Sequence, residues 1–136
     1  IGFALGSPEL IADLNRVIYS FNPYNINRLS LIAGAAAVED EPYFQTCCNT
    51  IQENRAWLVG ELERLGFSVL PSKANFVFAK SDRIPGGELY RKLKENGVLV
   101  RWFDKDRIRD YVRITIGSME QLAELAGALD HLLDEL

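Results

Sequence analysis

The sequence predicts an α+β fold, a small sheet covered by helices on one side, and three observations carry that prediction. Before Gly66 the apolar residues repeat at spacings of three and four; after it, short apolar runs alternate with polar turns. The elements after that point read β-β-α-β-β-α, an order that makes one open sheet and its cover. The last helix gathers Leu122, Leu125, Ala126, Leu129, Leu132, Leu133 and Leu136 on one face, and the long helix before Gly66 carries a matching stripe. The expected division falls between residues 40 and 41. Residues 41–136 make the α+β domain, and residues 1–40 supply a strand and two helices whose apolar faces call for a partner.

Taken in order, Ile1-Gly-Phe-Ala-Leu-Gly6 reads as a buried strand, and a chain that opens inside a strand reads as part of something longer. Ser7-Pro8-Glu9 then starts a helix, with Ser as N-cap, Pro in the first turn and an acid beside the positive end of the helix dipole. Leu10, Ile11, Leu14, Val17, Ile18 and Phe21 give it an apolar face. Asn22-Pro-Tyr-Asn-Ile-Asn27 breaks the pattern as a polar loop. Residues 28–38, rich in Ala and Gly, form a second helix suited to close packing, and Glu39 to Pro42 mark a boundary. A helix of about six turns follows, with Phe44, Cys48, Ile51, Arg55, Leu58, Leu62 and Leu65 in one stripe and Gly66 as its stop.

Phe67 to Leu70 forms a short strand, residues 71–75 a turn, and Phe76-Val-Phe-Ala79 a strand apolar on both faces and so central. Glu88 to Asn96 is a short helix with Leu89, Tyr90 and Leu93 inward, closed by Gly97. Val98 to Phe103 and Tyr111 to Gly117 are two further strands, joined by residues 104–110. Ser118-Met-Glu-Gln121 is a capping box ahead of the last helix.

Composition narrows the function. The chain is 48% hydrophobic and 25% charged, an ordinary globular balance, and its net charge of −4 argues against nucleic acid or an anionic membrane as partner. No run is long enough to span a bilayer. Cys47 and Cys48, the only cysteines, are adjacent and read as small apolar helix residues, which fits a reducing, cytoplasmic setting. With His131 as the single histidine, no metal spacing and no Ser/His/Asp set exist, and His131 reads as a surface residue.

Chemistry concentrates instead on Arg101 and Arg113, each inside an apolar strand. Guanidinium in such a place is costly without an anion, and its planar fork grips carboxylate or phosphate at two points. Antiparallel pairing of the two strands brings both groups to one place. Two readings of each stand: a grip on an anionic ligand, or a structural role, a salt bridge from Arg113 to Asp104 or Asp110 and plain exposure for Arg101. Asn75, next to the strong strand, reads as a turn residue or a ligand contact, and the Tyr24, Asn25, Asn27 loop as a connector or a rim.

Five segments also carry a resemblance: Ile1-Gly-Phe-Ala4, Phe21 to Asn27, Leu70-Pro-Ser-Lys-Ala-Asn-Phe-Val-Phe78, Gly97-Val-Leu-Val-Arg101 and Tyr111-Val-Arg-Ile-Thr-Ile-Gly117. In this order they resemble the C-terminal portion of the histidinol-phosphate aminotransferase family, among the fold-type I, pyridoxal-phosphate-dependent aminotransferases. The resemblance implies that residues 41–136 are the small C-terminal domain and residues 1–40 a remnant of the large, cofactor-binding one. It assigns Arg113 to the substrate's α-carboxylate or phosphate, Arg101 to the substrate phosphate, and Asn75 to a place near the substrate. Tyr24, Asn25 and Asn27 fall, in similar enzymes, near the cleft and dimer interface. Histidinol phosphate, or another amino-acid donor, and 2-oxoglutarate are the implied substrates, with a homodimer as the assembly. The family's cofactor-anchoring lysine matches a position upstream of Ile1, and Lys73, Lys80 and Lys105 sit in no matching motif. The expectation is therefore a chain that carries the substrate-gripping side, holds no pyridoxal phosphate covalently and is inactive alone. The alternative is a stand-alone carboxylate- or phosphate-binding module.

Overall fold

A computed structural model describes residues 1–21 and 25–136, so the expectation placed on Tyr24 lies outside the described residues. Two compact units emerge, Ile1–Gln45 and Thr46–Leu136.

The first unit holds α1 (Pro8–Ser20), α2 (Arg28–Glu39) and the opening of α3 (Glu41–Arg64). Each start is capped as its sequence dictates. The Ser7 hydroxyl accepts from Leu10 N, the Asn27 side chain from Ser30 N, and the Asp40 carboxylate from Tyr43 N. Residues 1–6, expected as a strand, are not one: no described strand lies in this unit to pair with them, and an extended segment without a partner leaves its backbone bonds to solvent. Ile1 reaches α2 at Gly34, where an added Cβ would sit 2.8 Å from its side chain. No described residue of the unit is buried, and the apolar faces of both helices, Leu14, Val17 and Ile18 on α1 among them, are exposed.

The second unit is built on a four-stranded antiparallel sheet in the order β1-β2-β4-β3. Its strands are β1 (Phe67–Val69), β2 (Phe76–Ser81), β3 (Arg101–Trp102) and β4 (Val112–Thr115). Two helices complete it, α4 (Gly86–Glu95) and α5 (Met119–Asp134). Side chains alternate across the sheet. On one face Val77 and Ala79 of β2 and Val112 and Ile114 of β4 are buried against Leu58 and Leu62 of α3, Leu89 and Leu93 of α4, and Leu122, Leu125, Leu129, Leu132 and Leu133 of α5. The other face carries no helix from this unit's core, and its residues are half-buried or exposed.

The helix stripes depart from expectation at Phe44, at Leu136 and along the middle of α3. Phe44 and Leu136 are exposed, and the buried line of α3 runs Asn54, Leu58, Leu62 with Ile51 half-buried. Asn54 is buried because its amide donates to the Gly117 carbonyl at 2.9 Å, which ties α3 to the end of β4. Tyr90 faces inward as expected, half-buried against the core, with its ring stacked on Trp102 at a centroid distance of 6.4 Å. β2 is interior as expected, yet not apolar on both faces: Phe76, Phe78 and Lys80 line the open side.

Element ends follow their punctuation. Gly66 (φ 82°) and Gly97 (φ 79°) take the left-handed conformation that stops α3 and α4. The Ser118–Gln121 capping box forms in both directions. His131 is exposed and pairs with Glu135 at 3.3 Å, and Cys47 and Cys48 are half-buried free thiols in α3. No described helix is long and apolar enough to cross a membrane.

Asn54→Ala strands the Gly117 carbonyl, and the expected loss is about 1–3 kcal/mol of stability, read as a lower urea midpoint with an unchanged slope.

Candidate anion-binding face

The open face of the sheet assembles the site, and the register of β3 and β4 decides what meets there. Arg101 lies directly opposite Arg113, and Trp102 opposite Val112. Directly paired residues of an antiparallel ladder point to the same side, so the two arginines share the open face. On the far side of β4, Phe78 pairs with Arg113 and Phe76 with Thr115.

The guanidinium groups are held by rings. Arg113 lies over Phe76 at 5.4 Å and over Phe103 at 5.9 Å; Arg101 lies over Phe103 at 5.2 Å. The rings continue along the face, Phe76 to Phe78 at 6.1 Å and Phe78 to Tyr111 at 6.2 Å, with the Lys80 ammonium 6.0 Å over Tyr111. Among the described residues no carboxylate lies within 4.0 Å of Arg101 or Arg113, and the salt bridge to Asp104 or Asp110 does not form. The Nε of Arg113 is buried with no acceptor among the described residues. Burying a charged donor without a partner is unfavourable.

Behind this face the structure is braced. Trp102, between Arg101 and Phe103, turns to the helix side, stacks on Tyr90 and donates its indole N–H to the Arg109 carbonyl at 2.6 Å. The start of α4 presses on the same loop: a Cβ at Gly86 would lie 2.6 Å from the Arg109 carbonyl oxygen, and one at Gly87 2.9 Å from the Trp102 ring. Only glycine allows this approach. The 104–110 link is thereby pinned at the edge of the arginine pair.

The other expected residues fare differently. Asn75 is exposed at the entry to β2; its carbonyl accepts from Ile116 N at 2.9 Å, and its side chain lines a cleft of about 550 Å³ with Cys48, Ile51, Gln52, Arg55, Lys73 and Ala74. Arg55 does not pack as part of an apolar stripe there: it donates to the Ala74 carbonyl at 2.8 Å. Asn27 caps α2, and Asn25 is exposed; both belong to the first unit. Phe76, Phe103 and Tyr111 are members of the face that sequence reading did not single out. Their signal is present: Phe103 stands two residues from Arg101, and Tyr111 two from Arg113, the spacing of one strand face.

The second unit is an α+β module whose one-sided antiparallel sheet presents paired guanidinium groups on its open face. Residues 1–129 match the family model for aminotransferase class I and II, and the chain belongs to that family. It is 43% identical over all 136 residues to histidinol-phosphate aminotransferase of Clostridium botulinum strain Okra, of whose length it covers 38%. It also resembles the crystal structure of the histidinol-phosphate aminotransferase from Clostridium acetobutylicum, with a TM-score of 0.79 and 25% identity over 90% of this chain and 38% of that one. The fold is shared too with the histidinol-phosphate aminotransferase from Sinorhizobium meliloti, solved in complex with pyridoxal-5′-phosphate, at a TM-score of 0.80 and 20% identity over 96% of this chain and 36% of that one. The chain thus spans about two fifths of the length of its relatives.

Membership implies pyridoxal phosphate as cofactor. The face fits an anionic group, through Arg101, Arg113 and the unpartnered Nε. The cofactor's aldehyde needs a lysine amine; Lys80, the lysine on this face, lies 3.7 Å from Asp82 and 6.0 Å over the Tyr111 ring. Among the described residues no group of three or more His, Cys, Asp or Glu side chains gathers to hold a metal.

Trp102→Phe keeps the stack on Tyr90 and removes the donor to Arg109. Hydrogen exchange in residues 104–110 is expected to accelerate roughly five- to tenfold, as for one lost hydrogen bond, while the amides of α5 keep their protection.

Proposed function

We propose that this chain forms the substrate-gripping part of a pyridoxal-phosphate-dependent aminotransferase that moves an amino group between histidinol phosphate and 2-oxoglutarate, in the cytoplasm and as a homodimer. The observation that carries the reading is the pair of guanidinium groups set side by side on one sheet face with no carboxylate to neutralise them. The 43% identity over the whole chain to a histidinol-phosphate aminotransferase supports the choice of substrate.

In this reading Arg113 grips the anionic group common to the substrates, the phosphate of histidinol phosphate or a carboxylate of 2-oxoglutarate, and Arg101 adds the second fork that a phosphate dianion fills. Guanidinium does not deprotonate in proteins, so both residues bind and orient without moving protons. Asn75 contributes a polar contact near the substrate. Residues 41–136 are the small domain, residues 1–40 part of the large one, and the loop with Tyr24, Asn25 and Asn27 belongs to the cleft and dimer interface. Pyridoxal phosphate, when bound, supplies the electron sink for the transfer.

Binding of histidinol phosphate and of 2-oxoglutarate to the 136-residue chain, followed by calorimetry or NMR, tests this. Arg113→Ala is expected to weaken both by about 30-fold or more, the loss of a charge-assisted two-point contact. Arg101→Ala is expected to weaken the phosphate ester more than the dicarboxylate. Undiminished binding by Arg113→Ala overturns the assignment.

A further inference from the structure

We propose that Phe103 is a positioning residue for anion recognition: its single ring is the shelf on which both guanidinium groups lie, and it aims both forks at one phosphate. The inference rests on the reading of the face as a phosphate-binding site and adds to it a residue that touches no ligand.

Three observations carry it. Arg101 and Arg113 both lie over this ring, at 5.2 and 5.9 Å, and Phe103 is the residue whose ring both arginines share. Two like charges placed opposite each other by strand register repel, and no described carboxylate lies within 4.0 Å of either to offset it. An aromatic face offers an electrostatic partner that uses none of the guanidinium's hydrogen-bond donors. A guanidinium laid on a ring keeps its N–H groups, which lie in the guanidinium plane, free for an oxyanion, and a carboxylate partner would consume them.

The backbone fixes the ring where this requires. Trp102 ↔ Val112 pairing ends β3, and Phe103 follows it directly, on the face of Arg101 and diagonal to Arg113, within the reach of an aromatic side chain. Trp102 locks that step from behind through Tyr90 and the Arg109 carbonyl. Phe103 N–H and C=O lie in the link itself, where its carbonyl accepts from Lys105 N at 2.9 Å, so the ring's placement is set by the link's own turn. Phe76 backs Arg113 alone, at 5.4 Å, and serves as the internal control.

The test compares Phe103→Leu, Phe103→Met and Phe103→Tyr in the 136-residue chain, with inorganic phosphate as probe. Both ring-free variants are expected to weaken phosphate binding about tenfold, as for two lost guanidinium–ring contacts, and Phe103→Tyr is expected to bind within twofold of the parent chain. In the ligand-free chain the guanidinium Nε–H signals of Arg101 and Arg113 should both move on Phe103→Leu, whereas Phe76→Leu should move that of Arg113 alone. Absence of phosphate binding by the parent chain overturns the reading of the site, and this inference with it. Binding that Arg113→Ala abolishes but that either folded ring-free variant leaves within twofold overturns the inference alone, as do unmoved Arg101 and Arg113 signals.

Discussion

The direct pairing of Arg101 with Arg113 is the constraint on which this unit turns. Antiparallel register puts two permanent positive charges side by side on one sheet face. Such an arrangement survives only where something else holds the groups, and here that is a row of rings, Phe103 and Phe76 at the arginines and Phe78 and Tyr111 beyond them. Rings stabilise a guanidinium without consuming its hydrogen-bond donors. The Nε of Arg113 is buried with no acceptor among the described residues.

Everything behind the face serves to keep the pairing exact. The core of leucines from α3, α4 and α5 covers the other side of the sheet and sets which way each strand residue points. A one-residue slip of β3 would send Arg101 into that core and Trp102 onto the open face. Trp102 resists the slip from within: its ring stacks on Tyr90 and its indole N–H is spent on the Arg109 carbonyl. Gly86 and Gly87 let the start of α4 close on the same link, and Asn54 ties α3 to the end of β4. The first unit has no comparable organisation among its described residues. Its helices are capped at their starts but hold no buried residue, a pattern of propensity and capping without a core.

Membership of the class I and II aminotransferases sets this face in context, and the chain's share of its relatives' length sets the limit of that context. What the chain contributes on its own account is a pair of arginines set side by side on an open sheet face. On the same face Lys80 lies 3.7 Å from Asp82 and over the Tyr111 ring.

The sequence by itself determined the α+β class, the helix ends and the meeting of the arginines. These are local properties: alternation, caps, turn glycines and a short link between two strands act over a few residues, and the caps of α1 and α5 and the stops at Gly66 and Gly97 form as written. Only the tertiary structure decided which partners the arginines take. Whether Arg113 meets Asp104, Asp110 or a ring depends on where the 104–110 link lies and on which strand flanks β4, and neither is encoded within a few residues. The same cause explains the misplaced strand at residues 1–6: apolar alternation describes a segment able to pair, while pairing itself needs a second strand beside it. Asn54 makes the point from the other side, since a polar residue in a buried stripe makes sense only once the Gly117 carbonyl, 63 residues away, is set against it.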